Sequence, residues 1–513
     1  MSGLGQGAFG LALALAGWKI PRRVAGARVG PIAAIALDAA PLAFVALVLF
    51  VAAGRPVFAG AIAFALGAGF AFADRTMRDT LREPVVFSAL SELPQVFTHP
   101  HLYLPFAGTG LVLGGATAVV LAGVALLVGE PRLATPHPLP ALAVAGVVIA
   151  LLRQVGREPW LGGAARALRR LRPTGEPFAD TARLGPVAML IVHGIIARAE
   201  RPARQARLAP LPAPPPPRAA LRPIILVQCE SFFDARRALP MLPRGFLAGF
   251  DAACGIHGRL DVPAWGANTM RAEFAVLTGT DDGSLGYDRF NPYHALARAP
   301  LASQVRRLRA AGYRTICLHP FDRRFFRRDL AMPWLGFEQF LGRETLGGAR
   351  TPPYMSDPDL AGHILRIVEE AGPRVFVFAI TMANHGPWLA KSFPAVSELS
   401  DLFGGEVPQR AELLRYLAGL RQSDEMLRVL TSGLESRGCA ALLGFYGDHL
   451  PSLPRAFAHF GFDDWRSDYV IWSGSRQPSG RRDLAAHELG RALVDLALAP
   501  APRDAVVAEP HDA

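Results

Sequence analysis

The chain has 513 residues, 51% of them hydrophobic, and its mean hydropathy of +0.24 excludes an ordinary soluble globular protein. Its formal net charge of +11 would by itself indicate a nucleic acid or an anionic surface as partner. The excess is arginine spread along the chain, since the lysines are Lys19 and Lys391, so we expect no nucleic-acid partner. The composition indicates a membrane part joined to a globular part.

Residues 1–200 predict a transmembrane helical domain. Four stretches carry at most one charge each: 29–54, whose single charge is Asp38, then 56–73, 102–129 and 138–152. A bilayer core of roughly 30 Å needs about 20 apolar residues per helix, so the first three are credible spans and the fourth is a shorter one. The uncharged stretch 2–18 lacks the features of a cleaved signal peptide and is interpreted as a membrane helix or a re-entrant segment. We therefore expect a bundle of four to six helices.

Basic clusters bear on the topology of this bundle. Residues 19–28 and 153–172 are rich in arginine, and basic loops remain cytoplasmic. If both clusters are cytoplasmic, the C-terminal domain lies outside only if the weak apolar segment 184–197 also crosses. If 153–172 is instead an amphipathic helix on the outer surface, five spans are enough. Hydropathy leaves both arrangements open.

A proline- and arginine-rich linker at 201–222 precedes a C-terminal domain, 223–513, of different character. Its run PAPPPP favours extended polyproline geometry, which acts as a semi-rigid spacer. Beyond it, short apolar runs alternate with amphipathic stretches, a pattern typical of an α/β domain with a mostly parallel sheet. The predicted strands are 223–231, 314–320, 374–385, 439–449 and 468–474.

Four of these strands end in side chains that titrate or bind metals. The first leads into Glu230, the second into His319, the third into His385, and the fourth into Asp448 and His449. Ligands bind at the carboxyl ends of the strands in open α/β sheets, so we expect these side chains to gather at one edge. Each has a plainer interpretation when taken alone, as a helix cap, a turn or a hydrogen-bonded loop histidine.

Taken together, these residues favour a metal site with a nucleophile beside it. Carboxylates and imidazoles without a thiolate suit a divalent ion such as Mn²⁺ or Mg²⁺, with Zn²⁺ as a further candidate. Thr269 precedes a helical pattern, where threonine is often an N-cap. Beside a metal, however, its hydroxyl is a nucleophile whose deprotonation the ion and the helix dipole both favour. The pattern indicates phosphoryl or sulfuryl transfer through a covalent threonine intermediate.

Five motifs, in this order, resemble the alkaline phosphatase and sulfatase superfamily, and within it the membrane-anchored phosphoglycerol transferases related to lipoteichoic acid synthase. The motifs are VQCESF, ANTMRAEFAVLTG, LHPFDRRFFRRDLAMPWLGFEQF, ITMANHGPW and YGDH. They cover essentially the whole C-terminal domain, and the membrane bundle with its linker agrees with the family's layout. The resemblance implies a sulfatase-like α/β domain on the extracytoplasmic side of a multi-pass inner-membrane protein of the cell envelope.

The resemblance also implies roles for individual residues. It implies one divalent ion, with Mn²⁺ expected, held by Glu230, Thr269, Asp448 and His449. Thr269 is then the nucleophile that takes the phosphoglycerol group. Arg328 matches an arginine that holds the phosphate or glycerol, and His385 matches a histidine that binds the phosphate or protonates the leaving oxygen. His319 matches a further contact to the headgroup.

Two positions depart from the family pattern and leave the transferred headgroup open. Phe326 stands where those synthases usually have tryptophan, and Phe321 stands where a polar residue is expected. The resemblance implies transfer from a membrane phospholipid, phosphatidylglycerol, to a glycan or polymer acceptor. A phosphoethanolamine transferase or a sulfatase-like phosphodiester hydrolase would keep the same site. A non-catalytic membrane sensor or transporter is the alternative from another class.

Overall fold

The computed structural model describes residues 2–210, 222–253, 255–389, 391–393, 397–474 and 480–499. The chain divides into two compact units, which we call the helical unit and, after the activity that the sequence predicts for it, the catalytic unit. The helical unit comprises Met1–Arg204 with Gly286–Phe290, and the catalytic unit comprises Gln205–Leu285 with Asn291–Ala513. Most of the predicted linker, 211–221, lies outside the described residues.

The helical unit contains ten α-helices and a 3₁₀ helix, Phe87–Ser91, in its described part. The helices are α1 (Gly3–Val24), α2 (Ile32–Ala53), α3 (Pro56–Leu81), α4 (Leu93–Thr98), α5 (Pro100–Ala107), α6 (Thr109–Gly129), α7 (Pro138–Val155), α8 (Trp160–Arg169), α9 (Pro177–Leu184) and α10 (Pro186–Arg207). Among the described residues, four helices are long and apolar enough to cross a membrane, namely α2, α3, α6 and α7. These four correspond to the four predicted apolar stretches.

Two boundaries in this unit differ from the prediction. The stretch 102–129 is not one helix, because α5 ends at Ala107 and Gly108 adopts a φ of +79° before α6 begins. A positive φ is a conformation that glycine adopts without steric cost, so an apolar run changes direction there. Helix α10 continues to Arg207, so the first residues of the predicted linker are helical.

The stretch 2–18 lies in α1, which packs closely along α3. Gly10 and Gly17 of α1 meet Gly60 and Gly67 of α3, and a Cβ built on Gly67 would lie 1.9 Å from the carbonyl oxygen of Gly17. Small residues that let two backbones approach are typical of helix packing in lipid, where dispersion contacts replace the hydrophobic effect. The pair therefore depends on backbone contact at these glycines.

Four buried carboxylates of the helical unit accept hydrogen bonds from backbone N–H groups. Asp38 accepts from two N–H groups in the first turn of α10, at 2.9 and 3.1 Å. Glu130 accepts from two N–H groups in the first turn of α3, at 2.8 and 2.7 Å. Asp74 accepts from Val85, and Asp180 accepts from the loop before α9. These acids satisfy donors that helix starts and loops would otherwise leave unpaired.

The catalytic unit is built on a nine-stranded sheet. The strands are β1 (Ile224–Cys229), β2 (Ile256–Asp261), β3 (Arg314–Leu318), β4 (Gln339–Leu341), β5 (Val375–Ile380), β6 (Leu442–Gly447), β7 (Ser467–Trp472), β8 (Gly480–Arg481) and β9 (Leu484–Ala485). The sheet order is β4-β3-β5-β1-β6-β7-β2-β8, with β9 paired to β2. Strands β1, β3, β4, β5 and β6 are parallel, whereas β7 is antiparallel to both β6 and β2.

Helices accompany this sheet along the chain. They are α11 (Ala248–Ala252), α12 (Met270–Thr278), α13 (Pro292–Leu296), α14 (Gln304–Ala310), α15 (Arg328–Leu335), α16 (Arg343–Leu346), α17 (Asp357–Ala371), α18 (Ser397–Ser400), α19 (Arg410–Ser436), α20 (Pro454–His459) and α21 (Ala486–Leu498). Every residue of β1, β5 and β6 is buried, which explains why these strands read as continuous apolar runs.

The mostly parallel α/β sheet predicted from the sequence is confirmed, and all five predicted strands are present as β1, β3, β5, β6 and β7. Cys229 at the end of β1 pairs with Gly447 at the end of β6, and Gln228 pairs with Ile380 at the end of β5. The residues that follow these three strand ends therefore start from one edge of the sheet.

Candidate active site

Three buried side chains meet where β1 and β6 end. Ligand atoms of Glu230, Asp448 and His449 all lie within 4.8 Å of one another. His449 Nε2 is 3.5 Å from Glu230 Oε1 and 3.3 Å from Asp448 Oδ2. The convergence of two carboxylates and one imidazole at the strand ends is the arrangement expected from the sequence.

The hydrogen bonds around this cluster show which of its atoms remain available to a ligand. His449 Nδ1 lies 3.0 Å from the Leu450 carbonyl oxygen, to which it donates in the tautomer that leaves Nε2 as a ligand atom. Asp448 Oδ1 accepts from the backbone N–H groups of Ser231 and His449, both at 2.9 Å. Asp448 Oδ2 is buried and accepts no hydrogen bond from the described residues. A buried acceptor without a donor is costly, and a cation would satisfy it.

Electrostatics agree with a cation site. Burial and the adjacent Asp448 charge raise the pKa of Glu230 to about 8. Two carboxylates this close in a buried setting repel each other, and a divalent ion removes that repulsion. The donor set of oxygen and imidazole ligands without thiolate fits the Mn²⁺, Mg²⁺ or Zn²⁺ ion expected from the sequence.

Thr269 lies next to the cluster at the start of α12. Its Oγ1 is 3.3 Å from His449 Nε2, and its side chain makes no capping hydrogen bond to the helix. The loop that carries it is tied to the segment after β6, because the Gly266 N–H donates to the Leu450 carbonyl at 3.1 Å. The plainer interpretation of Thr269, a side-chain N-cap, therefore does not describe this hydroxyl, which is directed at the cluster.

Arg328 and His319 form a second buried group beside α12. The Nε of Arg328 donates to both carboxylate oxygens of Glu273 at 3.1 Å, and its Nη2 donates to Oε2 at 2.9 Å. Its Nη1 lies 3.4 Å from His319 Nε2, and His319 Nδ1 lies 3.2 Å from the Ile380 carbonyl oxygen. Burial and the adjacent guanidinium hold the pKa of His319 well below its ordinary value, so the ring is neutral.

Glu273 is a residue to which sequence reasoning gave no role. It is fully buried and also accepts from Tyr293 Oη at 2.6 Å and from Gln228 Nε2 at 3.0 Å. A carboxylate four residues after Thr269 lies on the same face of α12, one turn further on. That spacing within the ANTMRAEFAVLTG motif was the available signal, but only the tertiary fold brings Arg328 against it.

His385 follows β5 in a half-buried loop. Its Nδ1 contacts the carbonyl oxygen of Gly386, and burial lowers the pKa of the imidazole. The ring is therefore neutral at pH 7 with Nε2 as an acceptor. The hydrogen bond of His385 stays within its own loop.

The two positions that depart from the family pattern pack against Arg328 and His319. The guanidinium carbon of Arg328 lies 5.4 Å from the ring centroid of Phe326. Phe321 is buried, and its ring centroid lies 6.0 Å from that of His319 in an edge-on arrangement. Both phenylalanines thus form an apolar support for the two polar side chains.

Comparisons with known proteins bear on the family of this chain. The sulfatase family matches residues 224–497. The capsular polysaccharide biosynthesis protein RkpI of Rhizobium meliloti (strain 1021) is 30% identical over 470 residues, which cover 86% of this chain and 81% of that protein. A candidate cyclic β-1,2-glucan modification protein of the same organism is 29% identical over 278 residues, covering 50% of this chain and 42% of that protein. The phosphoglycerol transferase GacH of Streptococcus pyogenes, solved with sn-glycerol-1-phosphate, aligns with a TM-score of 0.44 and 19% identity over 60% of this chain and 80% of that chain.

Proposed function

Since this chain belongs to the sulfatase family, which matches residues 224–497, we propose that it is a membrane-bound, metal-dependent phosphoglycerol transferase. The proposed donor is phosphatidylglycerol, the intermediate is a phosphothreonine at Thr269, and the acceptor is a hydroxyl of a glycan or polymer. The observation that supports this most is the Thr269 hydroxyl at a helix start, 3.3 Å from His449 Nε2 beside two buried carboxylates.

The proposed reaction has two steps. In the first, Thr269 Oγ1 loses its proton and bonds to phosphorus, the bond between phosphorus and the lipid oxygen breaks, and diacylglycerol leaves with a proton. In the second, an acceptor hydroxyl loses its proton and bonds to phosphorus, the bond between phosphorus and Thr269 Oγ1 breaks, and Oγ1 takes up a proton. Splitting one displacement into two is the ordinary benefit of covalent catalysis.

Each group of the site has a proposed part in these steps. Glu230, Thr269, Asp448 and His449 would hold the ion, which when bound supplies Lewis-acid charge that lowers the pKa of a coordinated hydroxyl. Arg328 would hold a phosphate oxygen through Nη1, because Glu273 engages its other nitrogens. His319 would contact the headgroup, and the neutral His385 ring would exchange the proton at the leaving or attacking oxygen.

Two further observations support the choice of substrates. Four helices of the described residues are long and apolar enough to cross a membrane, and a lipid donor reaches a membrane-anchored enzyme without leaving the bilayer. The name of the relative RkpI, which is 30% identical to this chain, refers to capsular polysaccharide biosynthesis, and this supports a glycan acceptor at the extracytoplasmic face of the inner membrane.

Headgroup release from liposomes tests the proposal. Full-length protein with Mn²⁺ is assayed for diacylglycerol release from phosphatidylglycerol and, separately, from phosphatidylethanolamine. We expect release from phosphatidylglycerol that disappears in Thr269→Ala and persists in Thr269→Ser, with both variants unfolding at the wild-type temperature. Wild-type turnover by Thr269→Ala would overturn the proposed nucleophile.

Phosphoethanolamine transfer is the second candidate, and one observation favours keeping it. Phe321 is a buried ring against His319, where a polar contact to glycerol would be expected. Release from phosphatidylethanolamine alone would reassign the headgroup. Release of inorganic or headgroup phosphate without any acceptor product would indicate a hydrolase, and no release with no bound metal would favour a non-catalytic sensor.

A further inference from the structure

A surface groove of the catalytic unit lies outside the groups described above. Its volume is about 540 Å³, within the range of roughly 300–1,000 Å³ that is usual for small-molecule sites. We call it the Trp465 groove, and its lining residues are Arg259, Asp261, Asp463, Asp464, Trp465, Arg466, Asp483, Leu484 and Ala485.

The groove lies at the same edge of the sheet as the metal cluster. Strand β7 lies between β6 and β2 and is antiparallel to both, so the start of β7 adjoins the ends of β6 and β2. Trp465 comes just before β7, and Asp261 ends β2. With neighbouring strands about 4.8 Å apart, β2 is roughly 10 Å from β6, the strand that leads into Asp448. This is about the reach of one or two sugar rings along a chain.

Trp465 is the most exposed large apolar side chain in the described part of the catalytic unit. Its relative exposure is 55%, compared with 44% for Leu330 and 36% for Met241. Its indole Nε1 donates to Asp261 Oδ1 at 2.9 Å, which fixes the ring while leaving it accessible. A fixed aromatic surface with a polar edge offers large contact area at little entropic cost, as is typical of aromatic side chains in binding sites.

The charges around Trp465 select against an anionic ligand. Four carboxylates and two guanidinium groups line the groove, so the lining is net negative. Arg466 holds Asp464 in a fork, with Nε to Oδ1 at 2.9 Å and Nη2 to Oδ2 at 3.0 Å, and Arg259 adds a contact to Asp464 at 3.2 Å. Arg237 also pairs with Asp464 at 2.6 Å, and Arg466 and Arg481 lie 3.7 and 3.6 Å from Asp483, so arginines balance the charge of these two carboxylates. Asp261 and Asp463 make no ion pair with an arginine in the described part of the chain, and a phosphate, sulfate or uronate group would meet their charge. A ligand rich in neutral hydroxyls can donate to the carboxylates and cover the indole.

We propose that the Trp465 groove is a saccharide subsite that binds a neutral sugar residue of the glycan acceptor. The inference rests on the proposed transferase function, because the bound sugar is an acceptor only if the protein is a transferase. Trp465 stacks on the apolar face of the ring, and Asp261 and Asp463 accept from its hydroxyls. A sugar held two strands from the metal cluster places a neighbouring residue of the same glycan near Thr269, while the lipid donor is excluded from this subsite by its phosphate.

Glycan binding by the full-length protein in phosphatidylcholine nanodiscs tests the subsite. Cyclic β-1,2-glucan is the neutral probe and an alginate oligosaccharide is the anionic probe, with affinity measured by titration calorimetry. We expect Trp465→Ala to lower the affinity for the glucan about tenfold or more, and Trp465→Phe to keep it within about threefold of wild type. Met241→Ala changes an exposed apolar residue outside the groove and should leave the affinity unchanged. Diacylglycerol release without acceptor stays at the wild-type rate in all three variants.

The outcomes separate this inference from the proposed function. The subsite is overturned if Trp465→Ala leaves glucan binding unchanged. It is also overturned if alginate binds as tightly as glucan and depends on Trp465. Both conclusions hold even when Thr269-dependent lipid cleavage is intact. Trp465-dependent glucan binding without any lipid cleavage sustains the saccharide site and overturns the transferase function. If Trp465→Ala weakens glucan binding and leaves lipid cleavage unchanged, both the subsite and the transferase function are supported.

Discussion

Buried carboxylates in the two units are satisfied in opposite ways. In the helical unit, Asp38 accepts from Trp18 Nε1, Arg22 Nη1 and two backbone N–H groups, and its burial leaves 1% exposure. In the catalytic unit, Asp448 Oδ2 accepts no hydrogen bond from the described residues, and the pKa of Glu230 is raised to about 8 by burial and by Asp448. An aspartate whose oxygens all have donors stabilises the fold, whereas an aspartate with an oxygen that lacks a donor can hold a ligand.

This difference also weighs against a transporter. Polar residues that form an ion path in a membrane must exchange partners, and intramembrane acids are functional candidates by default. Asp38 and Glu130, however, each accept from two N–H groups at a helix start, so releasing them would leave those donors unpaired. Among the described residues, the buried carboxylate oxygens without a donor are Asp357 Oδ1 and Asp448 Oδ2, and both belong to the catalytic unit.

Asp448→Asn tests the comparison most severely. The amide still accepts from Ser231 and His449, but it removes one charge from the proposed metal site. We expect diacylglycerol release to fall by about 10³-fold, because metal-supplied charge stabilisation amounts to several kcal/mol. In EDTA the variant should unfold at or above the wild-type temperature, since repulsion with Glu230 is relieved. A large loss of metal-free stability would mean that Asp448 serves the fold, as Asp38 does.

Glu273→Gln probes a carboxylate of the catalytic unit that is fully satisfied. It leaves the buried Arg328 charge without its counter-charge, a change that costs about 3 kcal/mol or more. We expect a lower thermal midpoint in detergent together with a higher KM for lipid, because Arg328 loses its fixed orientation. Tyr293→Phe is the matched control, since it removes one neutral donor to the same carboxylate and should cost about 1 kcal/mol. Equal effects in the two variants would contradict a charge-based role.

Asp38→Asn addresses the helical unit. The substitution weakens the cap on α10 and unpairs Arg22, so we expect a loss of about 2 kcal/mol in stability. Turnover per folded molecule should not change. Asp79→Asn is the control, because Asp79 in α3 is 63% exposed and pairs with the exposed Arg75. Loss of turnover in properly folded Asp38→Asn would show that this acid takes part in function.

The smallest expected effect is a pH slope from His319. Its pKa is lowered in the folded protein by burial and by Arg328, so the unfolded chain binds a proton first as the pH falls below 6.5. Stability is therefore lost on acidification, by at most about 1.4 kcal/mol per pH unit. His319→Gln should flatten thermal midpoints measured between pH 6.5 and 5 relative to wild type. An unchanged slope would assign the pH dependence to other groups.

The sequence predicts the part of the site that follows the strand ends. Glu230 and the pair Asp448 and His449 follow β1 and β6, whose continuous apolar runs mark buried parallel strands, and topology then brings them to one edge. Thr269 was predicted from its place before a helical pattern. The strand ends and this helix start could be located from the sequence because each depends on local pattern and one general rule of sheets. The roles of these residues in catalysis stay predictions.

What the sequence did not predict depends on long-range packing. Glu273 reads as an ordinary helical acid, and its partner Arg328 is distant in sequence. Strand β2 is only partly buried, and β4, β8 and β9 are two or three residues long, so none gives an apolar run. Hydropathy does not predict the helix break at Gly108, because an apolar run carries no information about backbone direction. The glycine itself was a signal for such a break.

The close contact between α1 and α3 limits how this protein can vary in evolution. At Gly67 the atom that a new Cβ would meet is the Gly17 carbonyl oxygen, and at Gly60 it is that of Gly10. Backbone atoms cannot be exchanged for smaller ones, so no second substitution restores the fit once alanine enters. These four positions are thus places where backbone atoms block a single substitution to a larger residue.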